Sequence, residues 1–381
     1  MKHMFCESDD AACLRAADEL IVFLRRHGIH TRPSELATLD FGYHGIQDLP
    51  SGIGQLAALT RLDLHSNQLT ALRPVLCQLA ALKRLDVSGN RLAAIPPALG
   101  QLSALTTLNV SYNELTALTP TLGQLTALTR LDVFDNQLTA LPPELGQLAA
   151  LTRLDVSHNR LSALPPTLSK LTALTRLFAF GNQLTALQPT LGQLTALTWL
   201  HVSHNKLTAL PPELGQLTAL RRLDVERNQL TALQPTLGQL AALTALDVSD
   251  NQITCISRAT LPPSIQSAIF SHNAIRVLDL DFVPETLRLS HNPLEWVSSN
   301  VATSSRLEKS GVGVRPQPAD ATKWMTPVHT LARDPTSLFS VLPRDICDCI
   351  APYVGLVCVN VVGSTTTANL ASSWPLFCVC F

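Results

Sequence analysis

Asparagine recurs with a constant 23-residue spacing through most of this chain, at Asn67, Asn90, Asn113, Asn136, Asn159, Asn182, Asn205, Asn228 and Asn251. A period this strict decides the architecture before any single helix or strand is considered. Each unit is one small supersecondary piece that cannot bury its own apolar side chains. Neighbouring units must therefore stack, and the result is a solenoid held by a continuous core. The unit is plainest at residues 128–150, LTRLDVFDNQLTALPPELGQLAA, and its register runs from Leu36 to near Pro263.

With Leu36 as position 1, positions 1, 4, 6, 11, 14, 18 and 21 are aliphatic in nearly every unit. In the unit above these are Leu128, Leu131, Val133, Leu138, Leu141, Leu145 and Leu148. The alternation Arg130-Leu131-Asp132-Val133-Phe134 predicts a short parallel strand over positions 3–7 with one buried face. The turn after it places the asparagine inside, where its amide can satisfy backbone groups and build a ladder between units. Proline at position 16, as at Pro143 and Pro166, suits the start of a convex helical turn, since it has no N–H to leave unpaired.

Leu151, Leu154, Val156, Asn159 and Leu161 spell the pattern L-x-x-L-x-L-x-x-N-x-L of a leucine-rich repeat. The fold class expected is thus α/β: a leucine-rich repeat solenoid, or horseshoe, with a parallel β-sheet on its concave side. The L-P-x-x-L-G-x-L variant at this length resembles the intracellular Ras-suppressor-type proteins and plant Ras-group repeat proteins. That resemblance implies a scaffold or signalling regulator binding a protein partner, with a small GTPase or another signalling protein as the implied class. After Asn251 the spacing shortens, first at Asn273 and again at Asn292. These short units resemble those of bacterial effector ubiquitin ligases, but the remaining tail is too short for their catalytic domain.

Departures from the repeat mark its ends and its exceptions. His44 replaces the first asparagine and Phe41 an aliphatic, as suits a terminal unit, while Cys77 and Ser169 replace the position-19 glycine and are expected to be neutral. The organisation expected is an N-terminal capping helix in 1–35, about 11–12 repeats over 36–297, a linker at 298–322 and a tail with short amphipathic helices at 323–381. In the head, Cys13, Ala17, Leu20, Ile21 and Leu24 recur at helical spacing, and a helix here would cover the apolar end of the stack.

The outward strand positions carry the functional expectation. Position 3 is mostly arginine and position 5 mostly aspartate, including the pair Arg153 and Asp155. Such pairs keep a sheet soluble, worth about 0–1 kcal/mol each when exposed. One interval breaks the rows: Phe134 at position 7, then Arg176 with Phe178 and Phe180, then Trp199 and His201. Phe178, Phe180, Trp199 and His201 are expected to form one exposed aromatic cluster, with Phe134 two strands away at roughly 10 Å. Exposed aromatics among Arg and Asp have the composition of a protein-binding hot spot.

Other classes of function find no support in the residues. With 28 basic and 29 acidic residues the net charge is −1, without the basic stripe of a nucleic-acid binder. No nucleophile elbow, phosphate loop or zinc-protease signature is present, so no catalytic residue, cofactor or metal is expected. The histidines after the strands (His158, His204, His272, His291) and the pair His201 and His204 lack the ligand set of a tetrahedral site. Asn109-Val110-Ser111 matches a glycosylation sequon but falls on a predicted strand.

The nine scattered cysteines and a start without an apolar signal core point to a reduced, cytoplasmic protein. In the tail, Leu342, Pro343, Ile346, Ile350 and Tyr353 resemble the opening of an F-box. That resemblance implies recruitment of a Skp-type adaptor and a role as substrate adaptor of a cullin-type ubiquitin ligase. The same residues also read as a small amphipathic helix docking on the solenoid's open end. Neither apolar stretch near the C-terminus reaches the ~20 residues of a membrane span. Cys378 opens a Cys-Val-Cys-Phe terminus with the format of a prenylation site, which would give membrane association.

Overall fold

The computed structural model describes residues 10–298. The tail, with Leu342, Pro343, Ile346, Ile350, Tyr353 and Cys378, lies outside the described residues, as does nearly all of the expected linker.

A single helix, α1 (Asp10–Arg26), precedes the repeats. Each unit then supplies one three-residue strand: β1 (Thr38–Asp40), β2 (Arg61–Asp63), β3 (Arg84–Asp86), β4 (Thr107–Asn109) and β5 (Arg130–Asp132). The series continues with β6 (Arg153–Asp155), β7 (Arg176–Phe178), β8 (Trp199–His201), β9 (Arg222–Asp224) and β10 (Ala245–Asp247). From here strands alternate between two sheets: β11 (Cys255–Ile256), β12 (Ser267–Ile269), β13 (Val277–Leu278), β14 (Thr286–Arg288) and β15 (Trp296–Val297). Strands β1 to β10, β12 and β14 form one twelve-stranded parallel sheet in chain order. Strands β11, β13 and β15 form a second, three-stranded sheet, which the spacing alone did not predict. Among the described residues no helix is long and apolar enough to cross a membrane.

The regular strand covers positions 3–5 rather than the expected 3–7, because the chain turns to place the asparagine. Inter-unit pairing nevertheless continues past it: Val133 N–H donates to Asp155 O at 2.8 Å and Asp135 N–H to Ser157 O at 3.0 Å. Position 8 must then turn sharply, and it takes a left-handed backbone in unit after unit, as at Tyr112 (φ 53°), His158 (φ 49°) and His204 (φ 53°). Glycine at Gly89 and Gly181 meets that demand without side-chain strain.

The asparagine ladder forms as expected. Asn159 Nδ2 donates to Val133 O and Val156 O, both at 3.0 Å, and Asn159 Oδ1 accepts from Leu138 N at 3.0 Å. One side chain thus ties its own unit to the preceding one, and the repeat of that geometry satisfies backbone that no strand or helix would pair. The shortened units keep it: Asn292 Nδ2 donates to Phe270 O at 2.8 Å.

Opposite the sheet, five-residue 3₁₀ turns begin at the position-16 prolines, for example Pro143–Gln147 and Pro166–Lys170. The aliphatic columns between turn and strand are buried throughout the stack. Glycine at position 19 is demanded by close approach. A Cβ on Gly123 would stand 2.5 Å from Glu144 O of the next unit, and one on Gly215 would stand 2.5 Å from Thr236 O. Cys77 and Ser169 put a side chain at this position, and the Cys77 side chain is buried there.

Helix α1 covers the N-terminal end of the stack. Leu20 and Leu24 are buried in the common core, and Phe23 meets the fully buried Phe41 edge-on at 5.3 Å. Ser51 Oγ donates to Glu19 Oε2 at 2.7 Å, and Gly52 lies so close to the helix that a Cβ would run into Ala16 O. Ala17 and Ile21 are half-buried, while Leu14 and Val22 face outward. Of the cysteines with described side chains, Cys77 is a free, buried thiol and Cys255 is disulfide-bonded, so the expectation of a wholly reduced chain does not carry over.

Candidate functional site

Parallel pairing in constant register aligns equivalent positions of successive units. Arg153 is the register partner of Arg176, and Arg176 of Trp199; Asp155 partners Phe178, and Phe178 partners His201. The sheet's outward face therefore carries rows of like position, and a substitution in one unit lands beside the residues on either side.

In the position-5 row Asp63, Asp132, Asp155 and Asp224 are buried, because the side chains on adjacent strands shield them. Arg153 holds two of them, with Nε 3.2 Å from Asp132 Oδ1 and Nη2 3.1 Å from Asp155 Oδ2, while Arg130 Nε pairs with Asp132. Burial pushes the Asp155 carboxyl above its ordinary range, with Asp132 adding to the rise against the hydrogen bonding of Ser157 and the charge of Arg153. The Arg–Asp pairs are thus tied into the sheet's own network of ion pairs.

The aromatic interval assembles, with two corrections. Phe178 is 5% exposed and belongs to the wall of the site, beneath the surface expected to display it. It is covered by Arg153, whose Cζ lies 4.7 Å over the ring, and by Trp199, edge-on at 4.8 Å. Phe134 is not set apart by two full strand spacings; its ring centroid is 6.1 Å from that of Phe180. The residue between them at the same position is Ser157, fully buried, whose small side chain lets the two rings lean together.

The cluster also extends further than the sequence suggested. Phe134 meets Tyr112 at 4.9 Å and His158 at 5.1 Å, both edge-on, and His158 meets Phe180 at 4.7 Å. His201 lies flat against Phe180 at 4.4 Å and parallel to Trp199 at 6.5 Å. Tyr112 and His158 were missed as members because position 8 reads as loop. Their left-handed backbone turns them back over the position-7 rings, and the recurrence of Tyr or His at that position was the available signal.

Trp199 is held by two residues that also bind each other. Its Nε1 donates to Asp224 Oδ2 at 2.7 Å, Arg222 Cζ lies 4.8 Å over its ring, and Arg222 Nε donates to the same carboxylate oxygen at 2.7 Å. Phe134, Phe180, Trp199 and His201 are each half-buried, so the patch presents ring faces from a fixed support. Burial holds the His201 imidazole below its ordinary value, with Asp224 opposing and Arg222 assisting that shift. The ring is therefore neutral at pH 7 and serves as one more aromatic plate.

His201 and His204 do not converge: the first stacks on Phe180, and His204 Nε2 lies 3.5 Å from Glu226 Oε1. His272 and His291 stack on one another at 4.0 Å near the other end. Among the described residues, Asp40, Asp63 and His65 have ligand atoms within 4.8 Å of one another. There, His65 Nδ1 and Asp63 Oδ1 are 2.6 Å apart and Asp40 Oδ1 accepts from Gly42 N, so the cluster is spent on its own hydrogen bonds.

Comparison with known proteins fits this geometry. Residues 131–294 match the family described as leucine-rich repeat region, and residues 34–92 and 80–138 match that described as leucine rich repeat. No curated protein matches the sequence. Among solved structures, a leucine-rich repeat protein of Leptospira interrogans is 27% identical with a TM-score of 0.58, over 76% of this chain and 85% of that one. The ectodomain of the plant membrane receptor kinase GASSHO1/SCHENGEN3 from Arabidopsis thaliana, in complex with Casparian strip integrity factor 2, is 30% identical with a TM-score of 0.55. That match spans 65% of this chain and 34% of the ectodomain chain. The Arabidopsis receptor kinase HAESA shares the fold at 24% identity and a TM-score of 0.57, over 74% of this chain and 54% of its own.

Proposed function

The chain is a leucine-rich repeat protein, and we propose that it binds a protein partner on the outward face of its twelve-stranded sheet. The contact centres on the ladder Tyr112, Phe134, His158, Phe180, His201 and Trp199. The observation that supports this most is the bracing of the rings: Trp199 is fixed by Asp224 and Arg222, and Phe178 backs it from within. Aromatic side chains already held in place lose little freedom on binding, and Trp, Tyr and Arg dominate the energetics of interfaces. The chain's likeness to a receptor ectodomain solved with a bound factor agrees with this use of the fold. No step in this reading requires catalysis.

The finer reading is a scaffold or regulator in signalling, with a small GTPase or another signalling protein as partner, drawn from the L-P-x-x-L-G-x-L class of repeat. The repeats present the partner surface, and α1 closes their apolar end.

The test compares the full chain with the double variant Phe180→Ser, Trp199→Ala as bait for quantitative capture from cells of the source organism. A defined set of proteins should be lost from the variant at unchanged expression and within a few degrees of the same melting temperature. If Trp199→Ala unfolds the chain, Phe180→Ser alone serves, because Phe180 makes no hydrogen bond through its ring. An identical partner set for both baits would refute the site.

A further inference from the structure

One arginine in the position-3 row is left without the carboxylate its neighbours have. Arg61, Arg130, Arg153 and Arg222 each pair with the aspartate two residues on in their own strand. In β7 that aspartate is replaced by Phe178, and Arg176 is exposed with no ion pair or side-chain hydrogen bond among the described residues. Arg84, the other unpaired member, keeps Asp86 in its strand, although that carboxylate is taken by Ser88 and Asn109. Arg176 alone combines the loss of its carboxylate with a place beside the aromatic patch, in register with Trp199.

The charge balance at the centre of the patch follows. On the outward positions of β6 to β8 the charged residues are Arg153, Asp155 and Arg176. Arg153 and Asp155 satisfy each other at 3.1 Å, and Asp132 is shared between Arg130 and Arg153. One guanidinium remains, with five donors and no acceptor, at the rim of a neutral aromatic surface. The complement to that surface is an anion close to a ring or aliphatic side chain.

We infer that the segment bound here is an extended peptide carrying a carboxylate about three residues from an aromatic side chain. Arg176 takes the carboxylate, and Phe180, His201 and Trp199 take the ring. The spacing comes from the sheet itself. Arg176 lies in the strand next to Trp199, about 4.8 Å away, and four residues before Phe180, about 13 Å along the chain at 3.3 Å per residue. An extended peptide covers the intermediate distance of about 10 Å in three residues. A guanidinium also matches a carboxylate in planar, two-point geometry, which a lysine at the same place could not supply. This inference rests on the binding face proposed above and adds the chemistry of what it recognises.

The experiment uses the full chain and fluorescein-labelled peptides followed by fluorescence anisotropy at low salt. The probe is Gly-Ser-Gly-Phe-Gly-Ser-Asp-Gly-Ser, with versions in which Asp becomes Asn, Lys or phosphoserine, and one in which Phe becomes Ala. The Asp peptide should bind about fivefold to tenfold more tightly than the Asn peptide, as a charge-assisted hydrogen bond at a partly exposed site would give. The variant Arg176→Gln should erase that difference and leave melting unchanged, while Phe180→Ser should weaken every Phe-containing peptide. Equal binding of the Asp and Asn peptides, or a preference that survives Arg176→Gln, would overturn the inference while leaving the aromatic face intact. A phosphoserine peptide binding more tightly than the Asp peptide would reassign the anion and also overturn it. No binding by any peptide would overturn it too; the capture experiment with Phe180→Ser and Trp199→Ala then decides separately whether the face binds anything.

Discussion

The imidazole of His201 lies flat on the ring of Phe180, with centroids 4.4 Å apart and planes inclined by 17°. Two neighbouring strands thus bring an ionisable ring and a hydrocarbon ring face to face, and burial there keeps the imidazole neutral.

That stacking makes stability depend on pH in a definite direction. The unfolded chain takes up a proton at the ordinary imidazole value of 6.5, whereas folded His201 does so only at lower pH. Between the two values the unfolded state holds more protons, so stability is full above the ordinary value and falls as pH drops through the window. Asp224 and Asp155 oppose the shift, and Arg222 and His204 reinforce it. Urea midpoints measured at pH 7.5 and 5.5 should show a loss at the lower pH that is smaller in His201→Phe. An equal loss in both proteins would remove His201 as its source.

Asn159→Ala should cost about 1–3 kcal/mol, because it strands the Leu138 N–H in the core without a partner, while the Val133 carbonyl keeps its bond from Asn136 Nδ2. Equilibrium denaturation against Gln183→Ala, an exposed position that accepts one long bond from Lys206, gives the comparison. A cost below about 0.5 kcal/mol, the usual size of a surface substitution, would mean that the ladder is dispensable at that rung.

Gly123→Ala should destabilise by about 1–3 kcal/mol, the usual cost of overpacking, since its Cβ would stand 2.5 Å from the Glu144 carbonyl oxygen. Gly45→Ala tests the contrast: its Cβ meets nothing within 4 Å, and any cost there comes from a φ of 66° alone. Calorimetric melting of the two variants separates steric from backbone strain. Equal costs would mean that the close approach at position 19 relaxes freely.

Ser203 is fully buried between Phe180 and Glu226 in the position-7 row, and its hydroxyl has no hydrogen-bond partner among the described residues. Ser203→Ala removes an unpaired buried group that costs about 1–3 kcal/mol. The melting temperature should hold or rise; a clear fall would show that the hydroxyl is engaged.

Much of the fold was legible in the sequence because its cause is local and repeated. Leucine at positions 1, 4, 11, 14, 18 and 21, asparagine at position 9 and proline at position 16 each have one physical use, and the 23-residue spacing aligns them. The second sheet of β11, β13 and β15 was not legible, since the shortened units no longer carry the position-16 proline turn that marked the convex side. The residues that gather at the site were legible as exceptions to the rows, but their exposure was not. Alternation assigns Phe178 to the outward face, yet Arg153 and Trp199 lie across it.

The sequence alone determined that this chain stacks, in what register, and which positions face outward, because those depend on spacing. Only the tertiary structure decided how the outward residues share the space. A small Ser157 let Phe134 and Phe180 close to 6.1 Å, and the left-handed turn at position 8 brought Tyr112 and His158 onto the same rings. The pairing of Arg153 with Asp132 and Asp155 left Arg176, in register with Trp199, as the unpaired cation beside the aromatic rings among the described residues. Spacing along a chain carries no record of which side chain leans on which. That is settled by volume and charge across strands, between residues a whole repeat apart in sequence.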